Sequence, residues 1–212
     1  MYRMRIVLFV LLAVSLVGFS AIAQEDLQPL VKKGESAINS GDYQSALDYF
    51  QQVVQKLQDL VGAAFEQYMP KVLPGWEAGE LERNSWAGTT QDFSGNMVNL
   101  TQEFKRTRDG KVCEVNLLNW PQTVNSMRKS FEMYKQMGDM LNADPNVNIT
   151  IKDQGTWTIV RVVEKEADRT QVQAICENAL ITIAINYANA PEADQILQGM
   201  DLAGIDKQAQ RQ

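Results

Sequence analysis

From residue 25 to residue 69 the apolar side chains recur every three or four positions. Leu27, Leu30, Val31, Gly34, Ala37 and Ile38 make one stripe, which predicts a helix. "NSGD" (Asn39 to Asp42) interrupts it, and Asp42 is suited to cap the helix that follows. The second stripe runs through Tyr43, Ala46, Leu47, Phe50, Val53, Val54, Leu57, Leu60, Val61, Ala64, Phe65 and Tyr68. At 1.5 Å per residue it is roughly 40 Å long. Pro70 and Pro74 end it. The first helix can cover only part of such a stripe. Phe65 and Tyr68 are expected to pack on the domain that follows, and Val54, Leu57, Leu60 and Val61 are the candidate partner surface.

After Pro74 the period changes from helical to alternating. In "LPGWEAGE" (Leu73 to Glu80), Pro74-Gly75 predicts the turn out of the long helix, and Trp76 the first large apolar residue of a sheet. A tryptophan can bury about 150–250 Å², enough to pin helix to sheet. "NMVNLTQEFKRT" and "KVCEVNLLNW" flank "RDG", a hairpin signal centred on Asp109-Gly110. Pro121 opens a helix with Val124, Met127, Phe131, Tyr134, Gly138 and Leu141 on one face. The strands "VNITIKDQ", "TWTIVRVVEK", "TQVQAIC" and "LITIAINYA" follow. A last helix starts at Pro191, with Ala193, Ile196, Leu197 and Met200 inward. Adjacent strands in series predict an α+β fold: an N-terminal helical hairpin, then an antiparallel sheet of about six strands flanked by helices. The expected boundaries are 24–70 for the hairpin and 71–205 for the sheet domain, with a frayed tail over 206–212.

The helical hairpin, 24–70, resembles a single tetratricopeptide repeat over about 34 residues. The matching positions are Gly34, then Gly41-Asp42-Tyr43, Ala46 and Phe50 in "GDYQSALDYF"; Gln58 stands where the closing proline would fall. The unit does not recur, and a solenoid core needs about three repeats. The resemblance therefore implies a packing element or an oligomerisation arm. The order of elements from residue 70 to 205, entered through "VLPGWEAGE", resembles the α/β/α sandwich of PsbP-like domains. The chain is also similar to uncharacterised exported bacterial proteins that carry "LPGW-x-AGE", a likeness that implies no activity.

The start of the chain adds a location. Arg3 and Arg5 precede an apolar run from Ile6 to Ala21, and Ala21-Ile22-Ala23 offers the small-x-small pattern of a signal-peptidase site. The run is shorter than the roughly 20 residues that span a bilayer. Residues 1–23 are therefore expected to be a cleaved signal peptide, and the protein periplasmic or secreted, with no membrane anchor after cleavage. The chain carries 20 basic and 26 acidic residues, a net charge of −6. Such a balance disfavours nucleic acid and anionic membranes. "FKRTRDGK" is basic only across a hairpin turn. Export would place Cys113 and Cys176 in an oxidising compartment. One disulfide or two buried thiols both fit the sequence.

Chemistry is sparse. There is no histidine, which removes the commonest general base and histidine metal sites. No G-x-S-x-G elbow or phosphate-binding glycine loop is present, and no cofactor is expected. Asp144, Asn146 and Asn148 begin like a calcium loop, but Ile149 and Gly155 stand where glycine and a bidentate glutamate are needed. Glu164, Glu166 and Asp168 read as a solvated hairpin tip. The segment 84–97, with Trp86 and Phe93, is the candidate ligand loop. These features predict a non-enzymatic interaction or scaffold protein that binds an unknown protein or its own copy. A small-molecule or lipid binder using Trp86, Phe93 and the sheet face is the alternative.

Overall fold

Helical spacing in the first third of the chain becomes two helices, α1 (Ala21–Ser40) and α2 (Tyr43–Glu66). The computed structural model describes residues 21–89, 94–187 and 189–210. It divides into two compact units, parted between Leu60 and Val61. Most of the expected signal peptide lies outside the described residues, and the point after Ala23 falls in the first turn of α1. Among the described residues, no helix is long and apolar enough to cross a membrane.

In the first unit Gly41 turns the chain at φ 80°, and the Asp42 carboxylate accepts a hydrogen bond from the Ser45 amide at 3.1 Å. That is the expected N-cap. Leu27, Val31 and Val53 are buried together, with Leu30, Leu57 and Leu60 packed around them. Gly34 lets the helices approach: a Cβ there would stand 2.8 Å from the Phe50 ring. This contact gives two residues of the repeat resemblance a steric role.

The second unit is built on seven strands: β1 (Trp76–Thr89), β2 (Ser94–Arg106), β3 (Val112–Asn119), β4 (Val147–Gln154), β5 (Trp157–Glu164), β6 (Arg169–Ile175) and β7 (Leu180–Ile185). One strand more than expected is present. The order is β1-β2-β3-β7-β6-β5-β4, antiparallel throughout. The connection after β3 carries α3 (Pro121–Met137) to the far edge, where β4 begins a meander that returns β7 to β3. α4 (Ala190–Gln198) and α5 (Leu202–Ala209) complete the unit.

Alternation sorts the sheet residues into two layers. On one face Leu100, Phe104, Val115, Leu117, Ile181 and Ile183 are fully buried, together with Phe65, Met69, Ala193, Ile196 and Leu197. Phe65 is thus core, as expected, and Tyr68 packs partly buried beside it. On the other face α3 sets Val124 and Phe131 against Val160, Ile175 and Leu180. The tail expected to fray from residue 206 is instead helical to Ala209. Asp201 caps α5 by accepting from the Gly204 amide at 2.9 Å, and Ile205 and Ala209 are buried. At the β4 edge the side chain of Asn142 accepts from the Ile149 amide at 2.7 Å and donates to the Ile149 carbonyl at 3.1 Å.

Candidate functional site

The most chemically dense cluster lies at one end of the sheet, around Arg106. Gly75, at φ 81°, turns the chain into Trp76, whose amide donates to the Leu73 carbonyl at 3.0 Å. Trp76 then pairs with Arg106 across β1 and β2. Trp76 is half-buried against the core, as an anchor should be. Arg106 occupies the inward register of Leu100 and Phe104 and is only 6% exposed. Its guanidinium lies 5.6 Å from the Trp76 ring centre and 4.2 Å from that of Tyr187.

Four hydrogen bonds fix that guanidinium. Nε and Nη2 donate to the two carboxylate oxygens of Asp109 at 2.8 and 2.6 Å. Nη1 donates to Tyr187 Oη and to Glu192 Oε2, both at 2.9 Å. Tyr187 Oη donates to Glu192 Oε2 at 2.5 Å, and the Asn189 amide group adds a bond to the same oxygen at 2.8 Å. The Arg106 bonds hold the Asp109 carboxyl at about 2. Burial, then the Glu192 carboxylate, raise the Tyr187 phenol above its ordinary range. Most of the five guanidinium donors are committed. The cluster is therefore a clasp between the β2–β3 turn and the start of α4, with little capacity left for an anion. Sequence reasoning passed over it, although an arginine in the inward register of a strand was a readable signal.

A cleft of about 650 Å³ opens between the β4–β5 turn and the last two helices, lined by Thr156, Trp157, Leu197, Met200, Asp206 and Lys207 among others. Asp206 is already engaged there by the Thr156 hydroxyl at 2.8 Å and the Gln210 amide at 3.1 Å. The abortive calcium loop is an ordinary turn: the Asp144 carboxylate accepts from the Asn146 amide at 2.8 Å. The carboxylates at the β5–β6 tip are paired with Arg169, Asn146 and Lys111.

The candidate partner surface needs correction. Leu57 and Leu60 share the face of Val53 and pack in the hairpin core, and Val61 packs against the core of the second unit. Of the four, only Val54 is exposed. The free surface of α2 is instead Tyr43, Leu47 and Val54, at 67%, 52% and 41% exposure, with Ile38 of α1 also exposed. The spacing i, i+4, i+11 keeps these three on one line.

The candidate ligand loop also changes character. Asn84 to Thr89 pair with Ser94 to Asn99, so most of it is the far end of the β1–β2 hairpin. Phe93 and the Trp86 side chain lie outside the described residues. The cysteines cannot bridge. Cys113 is level with Ile185, and Ile185 with Thr170, whereas Cys176 lies six residues further along. That is roughly 20 Å at 3.3 Å per residue, against a limit of about 7 Å between Cα atoms. Both are buried free thiols. Burial chiefly raises them, Cys113 to about 12 and Cys176 to about 11.

No family model, curated protein or solved structure matches the chain.

Proposed function

We propose that this is an exported, non-enzymatic interaction protein whose helical hairpin docks a protein partner along α2. The supporting observation is the line Tyr43, Leu47 and Val54, which leaves three large apolar side chains in solvent. Exposed apolar side chains aligned on one helix face are the kind of surface an interaction site uses. On the helical wheel Gln44, Gln51 and Gln55 flank it on one side, with Asp48 beyond them, whereas Gln52 and Lys56 project from the opposite face. An acidic chain thus presents a locally uncharged strip, suited to an apolar helix face of another protein. The strip is too small for a stable interface of about 800 Å² per partner, so polar flanks must contribute and the contact is reversible.

The test places a photo-crosslinking amino acid at Leu47 in cells, with a control at exposed Lys129 on α3. A discrete adduct from position 47 alone, lost when Val54→Glu is added, is the expected result. The melting temperature of Leu47→Glu/Val54→Glu should match that of the unaltered chain. Unfolding of that variant, or equal labelling from both positions, would show that the line is not a docking surface.

A further inference from the structure

One half of the β4 edge is filled and the other half is open. Along an edge strand every second residue turns its N–H and C=O away from the sheet. Ile149 is such a residue, because Asn142 takes both of its groups. Ile151 and Asp153, two and four positions further on, therefore face outward as well. β4 is the last strand in the sheet order, and among the described residues neither backbone has a partner on that side.

A cavity of about 300 Å³ adjoins this open half. It is lined by Ile149 and Ile151 of β4 and by Tyr134 and Gly138 at the end of α3. Ile149, Ile151 and Tyr134 belong to the apolar layer under α3. The ion pair of Lys135 with Asp153, at 2.8 Å, borders the cavity. The volume is at the low end for a small-molecule site, and strand backbone with an unused donor and acceptor lies beside it. That combination suits a peptide that adds a strand, where backbone bonds hold it and a pocket selects one side chain. Lys152, between the two open residues, points to the other face of the sheet. It is exposed and has no ion pair among the described salt bridges.

We propose that the open half of β4 takes up a short extended segment of another protein, antiparallel like every pair in this sheet, with a large apolar residue seated in the cavity and an acidic residue just before it. The apolar residue lies directly opposite Ile151, exchanges both backbone bonds with it and shares its face. The preceding residue falls opposite Lys152, where a carboxylate is favoured. Asn142 blocks the position opposite Ile149, so the segment is short. A second copy of this chain fits poorly. The two antiparallel registers that clear Asn142 and use Ile151 set Lys152 against its own copy, or Asp153 against its own copy, and like charges directly opposite destabilise a pair. The inference does not rest on the docking strip of α2, which belongs to the other unit.

The experiment titrates the purified chain with the blocked peptide acetyl-Thr-Thr-Thr-Glu-Leu-Thr-amide, followed by amide chemical-shift mapping. Saturable shifts centred on 134–138 and 149–154 are expected. Methylating the leucine nitrogen removes the donor that faces Ile151 and should weaken binding at least about tenfold. Replacing the leucine with serine should abolish binding. Lys152→Glu alters only an exposed side chain and should leave the melting temperature unchanged, yet it should reverse the preference toward a peptide with lysine in place of the glutamate. Absence of saturable shifts, or shifts located elsewhere, would overturn the proposal. Equal binding of the methylated peptide would show that the cavity is filled without an added strand, and an unchanged preference in Lys152→Glu would remove the acidic residue from the partner; either result rejects it.

Discussion

Replacing Tyr187 with phenylalanine removes one oxygen from the centre of the Arg106 clasp. That oxygen accepts from Arg106 and donates to Glu192. Hydrogen bonds to charged groups contribute about 1.5–3 kcal/mol each, but neither partner is orphaned. Glu192 keeps Arg106 and Asn189, and Arg106 keeps Asp109. The ring contacts with Arg106 and Lys111 also survive. The net loss should therefore be near the low end, about 1.5–2 kcal/mol. For a chain of this size that is a fall of about 3–8 °C in melting temperature. The phenol adds a pH signature. Its proton is held more tightly in the fold than in the unfolded chain. Its contribution is complete below the ordinary tyrosine value of about 10 and declines as the pH rises above it. Urea unfolding followed by circular dichroism at pH 8 and pH 11 tests both parts. The gap between the two proteins should narrow at the higher pH, since all other tyrosines are common to both. A variant as stable as the parent at pH 8, or a gap that stays constant, would refute the reasoning.

Two further outcomes can be measured directly. Gln58 is buried and its Nε2 has no hydrogen-bond partner; Gln58→Met should raise stability by about 1–2 kcal/mol in the same urea assay. Cys113 and Cys176 should resist iodoacetamide at pH 8 in the native protein and both react in urea, because buried thiols are rarely ionised. Intact mass should show two free thiols.

The hairpin, the α3 position and the inward residues of α4 were legible because long apolar periods and prolines leave strong signals. β1 was only partly legible. "GELERNSWAG" is polar on both sides, as an edge strand can be, so no alternation announced its length. α5 was missed because its short sequence carries no apolar stripe beyond Leu202, Ile205 and Ala209, although Asp201 caps it. The candidate surface on α2 was mistaken by one facet. Helical spacing identifies a stripe, but it does not say which edge the neighbouring helix covers. Leu57 and Leu60 went to that helix, and Leu47 was left outside. The inward arginine of the clasp was a local signal, but its partners Tyr187 and Glu192 lie 81 and 86 residues away, and no local pattern encodes that pairing.

Asn142 has a consequence for life at high concentration. A sheet edge is an open row of backbone donors and acceptors, a template on which another chain can add a strand. At the middle of β4 the Asn142 amide already fills one donor and one acceptor, standing in for a single residue of an absent eighth strand. An incoming segment would have to evict it before zipping along β4. At the opposite edge, Glu77, Glu80 and Glu82 of β1 would confront the same charges on an identical copy. The two ends of the sheet thus carry different guards, one a local plug and the other electrostatic repulsion, against the growth of fibrils from the native state.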